Sequence, residues 1–352
     1  MKTKIQDMTS GSPGRLIILF AIPLMLGNIC QQLYTMVDTM VVGQVAGVEA
    51  LAALGAVDFL MWVVTGISTG LTQGFSIQLS QYYGAKDFEN LRKSLAHSYR
   101  LTAFIAAGVL ILSQSFASLV LTGLHTPSNI IGMSLLYLRI IFCGIPATAA
   151  YNMFASALRA MGNSKTPLTA MIIASVLNVS LDILFVAGFG WGVAGAAIAT
   201  VIAQSFSAVY CFLILRRIDI VHLTRADFMP ASGMNARLMK LGIPVVFQNI
   251  IIGVGGLVVQ YVINGYGFLF VAGFTATNKL YGLLEMAAIS YGYAIVTYVG
   301  QNLGAGKIDR IRKGVRSSML LCLLTSLIIS AAMFLFGKNI LSLFISGEPQ
   351  QT

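Results

Sequence analysis

Charge is scarce in this chain. Asp, Glu, Lys and Arg make up 10% of its 352 residues, against about 25% in a soluble domain. That scarcity excludes an ordinary soluble fold, and with 57% hydrophobic residues it reads as an all-α polytopic membrane protein. Cysteine and histidine are scarce as well. The four cysteines, Cys30, Cys143, Cys211 and Cys322, lie in apolar runs and form no CxxC pair, so neither a disulfide framework nor a metal site is indicated. The three histidines, His97, His125 and His222, are scattered. No clustered His, Cys or Ser-His-Asp set supports an enzyme, and neither a metal nor an organic cofactor is expected. The first fourteen residues are short and polar and read as no cleaved signal peptide.

The formal net charge is +10, which could suggest nucleic acid, but its placement excludes that partner. Of the 22 Lys and Arg residues, 19 fall at the N-terminus or in alternate connections, near 84–100, 159–165, 216–240 and 304–316. The opposite connections, near 43–50, 122–128, 188–192 and 265–268, hold none. This asymmetry predicts a multi-pass protein of the cytoplasmic membrane with its N-terminus inside. The basic face would also attract anionic membrane lipid.

Apolar runs and their punctuation predict nine helical spans, near 15–42, 51–82, 92–121, 129–158, 165–188, 192–216, 237–264, 269–300 and 314–345. A polar stretch at 218–236, with its Pro230-Ala-Ser-Gly turn, reads as a cytoplasmic linker. It separates an N-terminal six-helix lobe, 1–217, from a three-helix segment, 237–352.

The chain repeats itself. Arg15-Leu-Ile-Ile-Leu-Phe-Ala-Ile-Pro23 matches Arg237-Leu-Met-Lys-Leu-Gly-Ile-Pro244, and an asparagine follows each proline five residues later, Asn28 and Asn249. Gln81-Tyr-Tyr-Gly84-Ala matches Gln301-Asn-Leu-Gly304-Ala. Six helices separate the copies, so both enter from one side. A parallel repeat places a substrate path between two lobes. The second copy holds counterparts of the first three helices only, so we expect about nine helices of a twelve-helix plan, and hence a C-terminally truncated chain or a fragment.

Arg15 and Asp38 bracket 22 residues without a charge, enough to cross a bilayer, for which about 20 suffice. Asp38 therefore sits inside the membrane, where an ionisable group is costly and marks function. Counting inward from the uncharged connections puts Asp38, Asp58, Tyr137, Asp182 and Thr200 at about 7–12 Å depth, using about 1.5 Å per residue. Asn178 precedes Asp182 by four residues and shares its helix face. Two carboxylates with an amide, a phenol and a hydroxyl make a cation site for H⁺ or transiently for Na⁺. The core set is Asp38, Asp182, Asn178, Tyr137 and Thr200. Asp58, Gln260, Lys279 and Glu285 are secondary candidates, and Pro23 is a helix hinge.

These residues resemble the multidrug and toxic compound extrusion (MATE) family across essentially the whole chain. The resemblance rests on the paired repeats, the Gly84-Ala-Lys and Gly304-Ala-Gly-Lys loops, Val299-Gly-Gln-Asn302, Pro23 with Asp38, and Asn178 with Asp182. It implies export of amphipathic, often cationic organic compounds driven by H⁺ or Na⁺ entry, by a protein expected to act as a monomer. It also implies that Tyr137 and Thr200 join the N-terminal cation site. Some members carry an acid in helix seven, where this chain offers only Gln260. The alternative function is a lipid-linked oligosaccharide flippase of the same superfamily, which would favour a strongly cationic cavity; Arg139 and Lys279 are the few cations within the spans.

Overall fold

The computed structural model describes residues 5–124, 126–264 and 268–341. Among them the regular structure is helical: α1 Pro13–Val45, α2 Val48–Gly84, α3 Phe88–Gly123, α4 Ile131–Cys143, α5 Ile145–Ala160, α6 Lys165–Asp182, α7 Gly192–Arg216, α8 Met234–Asn264, α9 Phe268–Gly304 and α10 Ile308–Leu341. Six of these helices are singly long and apolar enough to span a membrane, and eight spans result when each bent pair counts as one. Large apolar side chains such as Phe104, Leu119 and Ile328 face outward at 81%, 66% and 69% exposure. That is the pattern of helices whose solvent is lipid.

Two local departures from straight helix matter below. The span expected at 129–158 is two helices, α4 and α5, bent by 45° at Gly144. Pro146 supplies no backbone N–H, so the Phe142 carbonyl loses its helical donor. Near the break, Gln114 on α3 donates from Nε2 to the Arg139 carbonyl at 2.8 Å and ties α3 to α4. The second departure follows Asp182, where the chain widens into a π-helical turn, Ile183–Gly188. Single π turns often mark functional sites.

The repeat is visible bond for bond at the basic end. The turn after α2 closes with Ala85 N–H to Gln81 O, Lys86 N–H to Tyr83 O and Asp87 N–H to Tyr82 O. The turn after α9 closes with Ala305 N–H to Gln301 O, Gly306 N–H to Leu303 O and Lys307 N–H to Asn302 O. Both use a left-handed residue at the same place, Lys86 at φ 56° and Gly306 at φ 70°, as a Schellman-type helix end requires. The two turns also pack on each other reciprocally: a methyl on Gly84 would overlap the Gln301 backbone, and one on Gly304 the Gln81 backbone. Higher up, Asn28 Nδ2 donates to Ser290 Oγ at 3.2 Å, and Asn249 Nδ2 donates to the Gly66 carbonyl at 3.1 Å. Such paired contacts are what a parallel repeat about a two-fold axis produces.

The segment before α1 is strapped across this junction. Met8 is fully buried. Its N–H donates to Gln301 Oε1 at 3.0 Å, and its carbonyl accepts from Asn302 Nδ2 at 3.0 Å. Gln301 Nε2 donates in turn to the Ala160 carbonyl at 2.8 Å. One side chain thus joins α9, the end of α5 and the strap. Gln301→Ala leaves a buried N–H and a buried C=O unpaired, about 1–3 kcal/mol each before relaxation. A lower unfolding temperature of the purified protein is the expected result; an unchanged one would mean that the strap is not held by this residue.

The linker is ordered against α3. Thr224 and Asp227 form a capping box, Arg92 lies 3.7 Å from Asp227, and buried His97 bridges Asn235 and the Met229 carbonyl. This histidine holds the linker in place.

Candidate functional site

Three helices each deliver two polar residues one turn apart. These are Tyr34 and Asp38 on α1, Asn178 and Asp182 on α6, and Thr200 and Gln204 on α7. Residues four apart share a helix face, so each helix presents one polar stripe. The stripes meet: Asn178 Nδ2 donates to Thr200 Oγ1 at 3.4 Å, and Gln204 Nε2 donates to Tyr34 Oη at 3.4 Å. Asp182 lies within electrostatic reach of Asp38.

Asp38 is 6% exposed, and Asn178 and Asp182 are 0% exposed. Five of the oxygens gathered here are buried without a hydrogen-bond partner among the described residues: Asp38 Oδ1, Asn178 Oδ1, both Asp182 carboxyl oxygens and Gln204 Oε1. All five are acceptors, and a buried acceptor left unpaired costs about 1–3 kcal/mol, more if charged. A cluster of acceptors without donors matches what a small cation or a proton requires.

Asp38, Asp58, Tyr137 and Thr200 all line one cavity of about 410 Å³. Asn178 and Asp182 do not line it; they are packed behind Thr200 and Asp38. Tyr137 is 4% exposed, carried on α4 above the Gly144 bend. Asp58 comes from α2, within electrostatic reach of Asp38. The sequence reading missed Tyr34 and Gln204, although their four-residue spacing from Asp38 and Thr200 was a signal. It also missed Arg159, counted there among the surface cations. Arg159 lines the same cavity.

The remaining candidates fall elsewhere. Glu285 lines a neighbouring cavity of about 360 Å³ between α2, α8 and α9, together with Gln248 and Asn249. The two cavities share Trp62, Thr65, Thr69 and Tyr293. Arg139 is exposed on α4. The side chains of Gln260 and Lys279 lie outside the described residues. Pro23 is buried within an unbroken α1.

Known proteins share this arrangement of helices. The model of the MatE family matches residues 23–184 and 244–349. A probable multidrug resistance protein of Bacillus subtilis, YpnP, is 31% identical over 346 residues, covering 98% of this chain and 77% of the relative. The chain belongs to the MATE family. It is therefore a membrane transporter protein rather than a member of an enzyme family. The probable multidrug resistance protein NorM of Thermotoga maritima is 26% identical over 341 residues, covering 95% of this chain and 72% of the relative. Among solved structures, the outward-facing conformation of a multidrug resistance MATE family transporter superposes with a TM-score of 0.92 at 23% identity. That match covers 99% of this chain and 78% of the other. The all-α fold of this chain is thus the MATE fold.

Proposed function

We propose that this MATE protein is a cation-coupled antiporter. It exports amphipathic, often cationic organic compounds across the cytoplasmic membrane in exchange for H⁺ or Na⁺. The observation that carries this reading is the set of five buried, unpartnered oxygens around Asp38 and Asp182. Two ionised carboxylates in a dry bundle repel and lack solvation. A proton on one, or Na⁺ among the oxygens, relieves both costs. The cavity beside them is large enough for a drug-sized organic molecule and opens onto Asp38, so substrate and ion compete for one set of charges. Its relatives in Bacillus and Thermotoga are named probable multidrug resistance proteins.

In this reading the basic face and the N-terminus lie in the cytoplasm, anionic lipid headgroups are its neighbours, and the protein works as a monomer without nucleic acid or organic cofactor. A flippase for a lipid pyrophosphate is disfavoured because the described charged residues lining the cavity are one arginine, Arg159, and two acids, Asp38 and Asp58.

The test is transport by the purified protein in liposomes. A pH or Na⁺ gradient directed against a fluorescent organic cation should drive its accumulation several-fold above the ungraded control. Uptake indifferent to both gradients would overturn the antiport reading.

A further inference from the structure

Arg159 stands one residue from the end of α5, yet its side chain lines the same cavity as Asp38 and Asp58. Its guanidinium lies over the Tyr293 ring, 4.7 Å from the centroid. One nitrogen, Nη2, donates to Ser156 Oγ at 2.9 Å. Among the described residues no carboxylate lies within ion-pair distance of it; the ion pairs found involve Arg92, Lys93 and His222. A guanidinium has five N–H donors in a fixed fork suited to a carboxylate. Stacked on a ring and held by one serine, this fork keeps most of its donors for the cavity.

The two acids are at the opposite end. Asp38 is seven residues from the end of α1, and Asp58 ten from the start of α2, whereas α5 ends beside the N-terminal strap, where Gln6 N–H donates to the Gly162 carbonyl at 3.2 Å. The α5 wall of the cavity runs from Thr148 to Arg159, about 16 Å of helix rise. Between these ends the wall is amides, hydroxyls and aromatic rings, among them Asn152, Thr69 and Tyr151. The cavity is therefore an elongated slot with anionic and cationic ends.

We propose that Arg159 is a specificity-determining anchor for the carboxylate of elongated amphoteric substrates whose amine faces Asp38 and Asp58. The assignment rests on the antiport reading only in taking this cavity as the substrate site. A purely cationic compound leaves the guanidinium without an anion, whereas an amino acid of the right length neutralises both ends. Charge-assisted, bidentate pairing of this kind is roughly twice as strong as neutral hydrogen bonding.

The test compares 4′-(aminomethyl)biphenyl-4-carboxylic acid with its methyl ester, binding to the purified protein by calorimetry. The native protein should bind the acid at least tenfold more tightly. Arg159→Gln should abolish that preference while leaving the ester within about twofold, and Arg159→Lys, which keeps the charge but not the fork, should retain part of it. Equal affinity of the native protein for the two compounds, binding of neither, or loss of both in the folded Arg159→Lys variant would overturn the proposal. The last outcome would show that Arg159 serves only to hold Tyr293. Preferential binding of the acid by a protein without gradient-driven uptake would sink the antiport reading and leave this anchor standing.

Discussion

Gly84→Ala should nearly abolish transport, and Gly304→Ala should do the same. At each glycine the added methyl would meet backbone, not a side chain that can swing away: the Gln301 carbonyl in one case and the Gln81 carbonyl in the other. Neither helix end can yield alone, because each turn is closed by its own three backbone bonds and the strap is tied to Gln301 and Asn302. Overpacking a fitted contact costs typically 1–3 kcal/mol, occasionally more, and here relief requires the two lobes to separate at the basic end. If that end must close in every cycle, about 3 kcal/mol against closure reduces the closed population roughly a hundredfold, at 1.4 kcal/mol per factor of ten. Gly108→Ala is the control: its methyl would meet nothing within 4 Å, and alanine stabilises a helix interior by about 0.5–1 kcal/mol over glycine. Transport assays on the three variants at matched membrane expression separate the cases. Native rates in Gly84→Ala would show that the junction does not open and close as a unit.

That junction was legible as a repeat before it was visible as a contact. Gln81 and Gly84 recur as Gln301 and Gly304, and two glycines preserved at one offset hint at backbone approach. What a repeat cannot reveal is that its copies touch each other. The spans were legible because twenty apolar residues in water have no alternative to a bilayer. The bend at Gly144 was not, since Gly-Ile-Pro interrupts neither the apolar run nor its length. The π turn after Asp182 leaves no polar mark either; it shows only as an extra residue per turn. For the site, the legible part was charge in the wrong solvent: Asp38, Asp58 and Asp182 are conspicuous because hydrocarbon should exclude them. Tyr34 and Gln204 escaped notice because tyrosines and amides are unremarkable near membrane interfaces, and only their spacing from Asp38 and Thr200 ties them to the site. Arg159 was hidden by the very rule that gave the topology. A cation near a helix end counts as surface by position, but an arginine stem is long enough to carry its head inward.

Asp38→Asn should eliminate gradient-driven transport, by at least a hundredfold, while the protein still inserts and folds. The substitution removes a buried charge and so makes insertion easier, not harder. It replaces a carboxylate oxygen with an NH₂ donor beside Asp182, whose two carboxyl oxygens are buried and unpartnered. Position 38 is then neutral permanently, without a proton or Na⁺, and the ion loses the differential affinity at that carboxylate with which to shift the conformations. Such a shift needs a substantial bias: moving an equilibrium from 1:99 to 99:1 takes about 5.5 kcal/mol, and the effective penalty for burying an ion is several kcal/mol. The bias acts on α1, where Pro23 lies fifteen residues before Asp38 and leaves the Leu19 carbonyl without its helical donor. Asp182→Asn should have the same effect, and the double variant little more, because groups that act as one unit are not additive. Passive exchange of substrate across the membrane without a gradient distinguishes lost coupling from lost binding, and it should persist in Asp38→Asn. Gradient-driven transport at the native rate in a well-expressed Asp38→Asn protein would remove Asp38 from the coupling site and with it the antiport reading of these five oxygens.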